Sequence, residues 1–173
     1  EGLHVPIWLL GSSGFSAQLA GQLGLPFSFA SHFAPDYLMP ALDLYRSSFR
    51  PSSELSKPYA MIGVNVICAD TDEEAQRLAT SPYQQFLNII RGRTGQLSPP
   101  VDSMDDLWNL QEQAIVKRQL SFSAIGSPAT VRAQLEQFQQ TTNADEIIVA
   151  AAIYDHKARL HSYELLADAV GIK

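Results

Sequence analysis

Residues 6–33 read PIWLLGSSGFSAQLAGQLGLPFSFASHF, and this stretch decides the fold. Its first run, residues 6–11, is continuously apolar and ends in glycine, the pattern of a short buried strand. Residues 15–24 read as a helix: Ala17, Leu19, Ala20 and Leu23 supply the apolar side, and Gly24 is placed to stop it. Leu25-Pro26 then leads into FSFASHF, a second strand.

The alternation continues outward. Pro35 opens a helix as its first residue in PDYLMPALDLYRSSF, with Leu38, Leu42 and Tyr45 at helical spacing. Pro40 inside that run implies a kink or a delayed start. Residues 50–58 are a polar connection, and 59–69 (YAMIGVNVICA) form the strongest strand in the chain. Thr71 or Asp72 caps the next helix, which has acids in its first turn and runs to about Ile90. Residues 91–104 form a loop rich in glycine and proline, and 105–120 read as another helix. Residues 121–142 start as a brief extended piece, pass through Gly-Ser-Pro, and become a helix with Pro128 at its first position. Residues 145–153 are a last buried strand, and HKARLHSYELLADAV a last helix.

The order is therefore strand–helix four times, with one extra helix in the third unit. Continuous rather than alternating apolar strands mark an α/β fold with a parallel sheet covered on its outer side. Two architectures satisfy this: an open doubly wound sheet, or half of an eight-stranded β/α barrel, a whole barrel needing ~250 residues.

The chain has 173 residues, enough for one sizeable core, so a single domain over residues 1–173 is expected. Hydrophobic residues make up 46% and charged residues 17%, which argues against disorder. The net charge is −6 and the twelve basic residues are scattered, Lys117-Arg118 being the densest pair. Nucleic acid and anionic membrane surfaces are thereby disfavoured as partners. Cys68, the one cysteine, cannot form an internal disulfide and sits in the apolar GVNVICA, as a reduced buried thiol would. No apolar run approaches the ~18–20 residues that cross a bilayer. No signal peptide is visible, so a cytoplasmic setting is expected. The chain begins EGLHVPIW without methionine; either a leader has been removed or, the reading preferred here, this is part of a longer polypeptide.

Gly11-Ser12-Ser13-Gly14 lies where a strand hands over to a helix. At the C-terminal end of a parallel strand, the first-turn N–H groups of the next helix lack intrahelical partners, and the helix dipole favours an anion there. Small residues bring the backbone close to such a ligand, and two hydroxyls add donors. Alternatively Ser12, Ser13 or Ser16 merely caps the helix. The stretch is neither a dinucleotide G-x-G-x-x-G nor a Walker loop, and it lacks the Gly-x-Ser-x-Gly spacing of a hydrolase nucleophile.

The longer context is more specific. PIWLLGSSGFSAQLAGQLGLPFSFASHFAPDYL, VNVICADTDEEAQRL, IGSPATVRAQLEQF and DEIIVAAAIYDHKARLHSYELLADAVG occur in order over nearly the whole chain. Together they strongly resemble the C-terminal half of the luciferase-like flavin-dependent monooxygenases. The resemblance implies strands five to eight of a TIM-type β/α barrel. It also implies reduced flavin mononucleotide (FMN) as cofactor, molecular oxygen as co-substrate and a small organic molecule as substrate. The loop after the fifth strand holds the flavin phosphate in that family. Here it runs from Gly11 to Ser16, with Ser12, Ser13, Gly14 and Phe15 at the matching positions. The N-terminal half, which brings most contacts to the flavin ring, lies outside this chain, so no catalytic residue is assigned. Its absence also implies a partner: the missing half, or another copy in an oligomer. The alternative is a half-barrel that binds flavin or phosphate, or is purely structural, and works only with that partner.

His32 sits near the end of the second strand, at the rim where barrel chemistry happens. It is either a hydrogen-bonded structural residue or a flavin or substrate contact, and is kept among the candidate cofactor residues. Tyr154, Asp155 and His156 follow the last strand; Asp155 either caps the final helix or helps line the substrate mouth. His161 reads as a helix-face residue and His4 as part of the N-terminal approach. These histidines have no zinc spacing, and no metal is expected. The paired acids of TDEEAQ suit a helix first turn. The 91–104 loop is either a lid over the barrel mouth or a surface excursion.

Overall fold

A computed structural model describes residue 2 and residues 5–172; His4 lies outside the described residues. The fold is α/β with parallel strand pairs. The chain divides into two compact units, Glu1–Gly63 with Gln139–Ile148, and Val64–Phe138 with Val149–Lys173.

The first unit holds β1 (Leu9–Gly11), α1 (Gly14–Leu23), β2 (Phe27–Phe29), a 3-10 turn (Pro35–Tyr37), α2 (Leu38–Ser48) and the start of β3 (Ala60–Cys68). Register aligns Leu10 with Ser28 and Ser28 with Met61 in one row, and Gly11, Phe29 and Ile62 in the next. Because strand side chains alternate between faces, these two rows point to opposite sides. On one side Phe27, Phe29 and Ile62 are fully buried, together with Ala17 and Ala20 of α1 and Leu38, Ala41, Leu42 and Tyr45 of α2. Each large side chain buried there contributes about 1.5–3 kcal/mol. The Tyr45 hydroxyl donates to the Leu25 carbonyl at 2.9 Å and accepts the Tyr59 N–H at 3.0 Å. Burial pushes that phenol above its ordinary range. On the other side Leu10 is 67% exposed.

Local signals act as read. Gly24 ends α1 at φ 63°, the left-handed conformation that costs glycine little. Pro40 falls in the first turn of α2, where its missing N–H is no loss, so the helix starts late rather than kinking. The first two strands are shorter than residues 6–11 and FSFASHF suggest. After Phe29 the chain turns, with the Phe33 and Ala34 N–H groups both donating to the Ala30 carbonyl, at 3.0 and 2.9 Å.

The second unit pairs β3 with β4 (Ser123–Gly126), Asn65 opposite Ser123 and Cys68 opposite Gly126. It also contains α3 (Asp72–Ile90), α4 (Leu110–Gln119), most of α5 (Pro128–Thr142) and α6 (His156–Val170). One apolar cluster joins Ile67, Ala69, Ala75, Leu78, Ala79 and Ile153. Another joins Leu87, Met104, Val116 and Leu120 beside Trp108. Cys68 is buried; desolvation pushes its thiol pKa up, and its N–H donates to Ser162 Oγ at 2.9 Å.

Three expectations need correction. The brief extended piece is a true strand, β4, so five strands occur among the described residues rather than four. The helix expected over 105–120 begins only at Leu110, because Asn109 and Glu112 form a reciprocal capping box, each side chain accepting the other's N–H at 2.9 Å. The last strand, β5 (Glu146–Ala150), pairs with β3 but is not buried along its length: Ile148 is 53% exposed. In the first unit it is anchored by Asp145, whose N–H donates to the Ala60 carbonyl and whose carboxylate accepts the Ala60 N–H, both at 2.8 Å.

Candidate functional site

β1 ends at Gly11, and α1 begins three residues later at Gly14. Ser13 occupies the N-cap position in an extended conformation (φ −141°, ψ 166°), but its hydroxyl makes no capping hydrogen bond. The expected alternative, a serine side chain capping this helix, is thus not realised by Ser13. Ser16 points back instead, its hydroxyl donating to the Ser13 carbonyl at 3.1 Å. Phe15 is 76% exposed.

Both glycines of the turn are closely hemmed in by neighbouring side chains. A β-carbon on Gly11 would run into the Ser16 side chain. One on Gly14 would come within 2.9 Å of the Tyr37 hydroxyl and 3.2 Å of Leu44. Gly11, Ser12, Ser13, Gly14, Phe15 and Ser16 therefore form one continuous strand-to-helix turn, with the Tyr37 hydroxyl against it. Tyr37 carried no mark in the sequence, because only the fold of the 3-10 turn brings it there.

His32 lies in the turn after β2, the parallel neighbour of β1, so both turns stand at the same end of the paired strands. The Gly11 carbonyl accepts the Ala30 N–H at 2.9 Å and ties the two turns together. The half-buried His32 ring lines a concavity of about 300 Å³ with Trp8, Leu10, Phe29, Met61 and Ile148 among its walls. Sequence reading missed Gly63, against which this ring rests. A glycine inside so apolar a strand is a usable signal of close approach.

The remaining candidates sit elsewhere. Asp155 caps α6, its carboxylate accepting the Ala158 N–H at 2.8 Å, and His156 Nδ1 lies 2.9 Å from Arg159 Nη2. His161 lies within 3.2 Å of both Asp70 carboxylate oxygens and 3.7 Å from Glu164. The hydrogen bond to Asp70 leads in raising its imidazole above the ordinary histidine range. Thr71, not Asp72, caps α3 by accepting the Glu74 N–H at 3.1 Å. No cluster of three or more metal-ligating side chains occurs among the described residues. No helix among them is long and apolar enough to cross a membrane.

The sequence matches the family model described as luciferase-like monooxygenase over residues 1–144. The chain belongs to that family. It is 57% identical over 168 residues to the Bacillus subtilis (strain 168) protein YvbT, covering 97% of this chain and 50% of that protein. It is 55% identical over 167 residues to a luciferase-like monooxygenase of Escherichia coli (strain K12), covering 96% and 50%. The crystal structure of apo-MsnO8 matches with a TM-score of 0.83 and 33% identity, over 100% of this chain and 53% of that one. The oxygenating constituent of 3,6-diketocamphane monooxygenase from Pseudomonas putida, solved with FMN, shares the fold at a TM-score of 0.61 and 23% identity. That match covers 97% of this chain and 49% of its own. The chain spans about half the length of the curated relatives it matches.

Proposed function

We propose that this chain is one domain, the C-terminal half of a luciferase-like β/α barrel, and that it carries the flavin-phosphate loop of an FMN-dependent monooxygenase. The observation that carries the reading is the turn from Gly11 to Ser16, where α1 starts behind a serine that does not cap it. The N–H groups of the first turn and the Ser12 and Ser13 hydroxyls are the donors offered to the phosphate, and the positive end of the helix dipole adds to them. The residues present fit an anion: small, hydroxyl-bearing, with no acidic side chain in the first turn of α1.

Reduced FMN, when bound, supplies the chemistry of oxygen transfer from molecular oxygen to a small organic substrate. The protein's share is binding, orientation and exclusion of water. Ser12 and Ser13 hold the phosphate, and His32, at the same end of the paired strands, meets the flavin or substrate. The exposed Leu10 and the partly exposed β5 lie on the surface that the N-terminal half covers, or a second copy in its place. The same half completes the active site. The assembled enzyme works in the cytoplasm.

The test is a titration of the protein at the full length of its relatives with FMN and with riboflavin. FMN binding at least tenfold tighter than riboflavin, about 1.4 kcal/mol, is expected if the phosphate is held. Equal affinities would sink the phosphate-loop assignment.

A further inference from the structure

We propose that a small cavity walled by α3, β3 and β4 is a site for one ordered water, which joins the Ser123 hydroxyl to the Leu78 carbonyl that Pro82 deprives of its helical donor.

Pro82 creates the first need. α3 runs unbroken from Asp72 to Ile90 with this proline inside it. Proline has no N–H to give the carbonyl four residues back, here that of Leu78, and its ring crowds that carbonyl. Leu78 is only 7% exposed, so bulk solvent has little access to it. A buried backbone carbonyl takes its partner from backbone, from a side chain or from an ordered water. Ser81 is the hydroxyl next to Pro82 in the helix, but it is fully buried and its Oγ bonds to no described residue.

Ser123 creates the second need. Its Oγ, on β4, is buried and likewise has no hydrogen-bond partner among the described residues. A buried hydroxyl left so gives up the hydrogen bonds it makes to water in the unfolded chain.

One cavity serves both needs. Pro82 and Tyr83 of α3 line it together with Asn65 and Ile67 of β3 and Ser123 and Ile125 of β4. Its free space is about 10 Å³, the room of a single water molecule and too little for anything larger. An apolar hollow stays dry, whereas one with two to four polar neighbours takes up water. Here Ser123 and Asn65 supply polar side chains, and the Leu78 carbonyl lies one helical turn back from Pro82. No charged side chain lines the cavity, so an ion has no counter-charge there. A hydroxyl both donates and accepts, so Ser123 suits either orientation of the water. All of these residues belong to the second compact unit, and the walls are complete without the N-terminal half. The bridge ties the carbonyl freed at the proline to β4, and α3 keeps its course through Pro82.

The test uses the protein at the full length of its relatives. A high-resolution crystal structure is expected to show one water in the cavity, at hydrogen-bond distance, about 2.7–3.2 Å, from both Ser123 Oγ and the Leu78 carbonyl oxygen. No density there, or the Ser81 hydroxyl turned onto the Leu78 carbonyl in its place, would overturn the site. Hydrogen exchange then reads whether the bridge holds the helix. Ser123→Ala removes the anchor on β4, and the amides of residues 79–86 should exchange at least about fivefold faster through local opening. Pro82→Ala restores the N–H to the Leu78 carbonyl, and adding Ser123→Ala to it should then change that exchange by less than about twofold. An equal effect of Ser123→Ala with and without Pro82 would show that the water does not serve the proline, and would overturn the bridge. Should Pro82→Ala fail to fold, the density and Ser123→Ala alone decide: unchanged exchange in Ser123→Ala counts against the proposal. No flavin enters these measurements, so they stand apart from the FMN assignment.

Discussion

Asp72 reaches across 55 residues of sequence to accept the Ser127 N–H at 2.6 Å, and its second oxygen accepts the Thr130 hydroxyl at 3.2 Å. An acid in the first turn of α3 thereby secures the start of α5. It also sits where a β-carbon on Gly126, at φ 155°, would strike it. The Ser127 N–H, then the Thr130 hydroxyl, hold the Asp72 carboxyl below the usual carboxylate range.

The direction of that shift fixes a pH dependence. A carboxyl with a depressed folded pKa contributes stability above its unfolded value, about 3.9, and loses it as pH falls through the folded value. Asp72→Asn should remove this contribution and flatten the acid limb of the stability curve below about pH 4. Urea denaturation of both proteins between pH 2.5 and 6 measures it; parallel curves would mean that Asp72 does not couple protonation to folding.

Ser13→Asp places a negative charge where the phosphate is proposed to sit. In the full-length protein FMN affinity should fall at least tenfold, about 1.4 kcal/mol, while riboflavin affinity changes little. Fluorescence titration reads both, and an unaltered FMN affinity would remove Ser13 from the site.

What the sequence made legible was local. Gly24, Pro128 and Asp155 each act within a few residues, through a positive φ, a fixed φ or a carboxylate aimed at a first-turn N–H, and such signals need no tertiary context. β4 escaped because its four residues, SAIG, are too few to show a period; pairing with β3 makes them a strand. The true start of α4 was hidden because the apolar spacing of residues 105–109 continues into the helix, and only the Asn109–Glu112 box breaks it. At the candidate site, the Gly11–Ser16 turn was readable as one segment. The bond from the Ser31 hydroxyl to the Gly63 carbonyl, beside the His32 ring, was not, since two residues 32 apart carry no joint pattern.

The imidazole of His161 carries the opposite sign. Its pKa is raised, first by the hydrogen bond to Asp70 and less by Glu164. The contribution to stability is fully present below the unfolded value, about 6.5, and is lost as pH rises through the folded one. The His161 proton resonance should titrate above pH 6.5, and Asp70→Asn should bring the midpoint down. A midpoint unmoved by that substitution would show that the pair does not form in solution.

The loop at 91–104 is fastened to α3, which bears on whether it moves as a lid. The Thr80 hydroxyl, in a side chain that is nearly buried, accepts the Val101 N–H at 2.8 Å and lies 3.2 Å from the Val101 carbonyl. Gln84 Nε2 donates to the Pro99 carbonyl at 2.9 Å, and Arg77 Nε to Asp102 Oδ1 at 2.9 Å. The distal stretch from Pro99 to Asp102 is thus stitched down. Residues 92–96 are exposed and keep the only basic side chain of the loop tip, Arg93. Thr80→Val keeps the shape of the side chain but leaves the Val101 N–H without its acceptor, at a cost of about 1–3 kcal/mol. Because that bond holds the loop and not the core, the loss should appear as local opening before global unfolding. Trypsin should therefore cleave after Arg93 several-fold faster in Thr80→Val than in the wild type, at concentrations of urea that leave the far-ultraviolet circular dichroism unchanged. Equal cleavage rates would show that Thr80 does not restrain the loop, and the lid reading would regain its mobile segment.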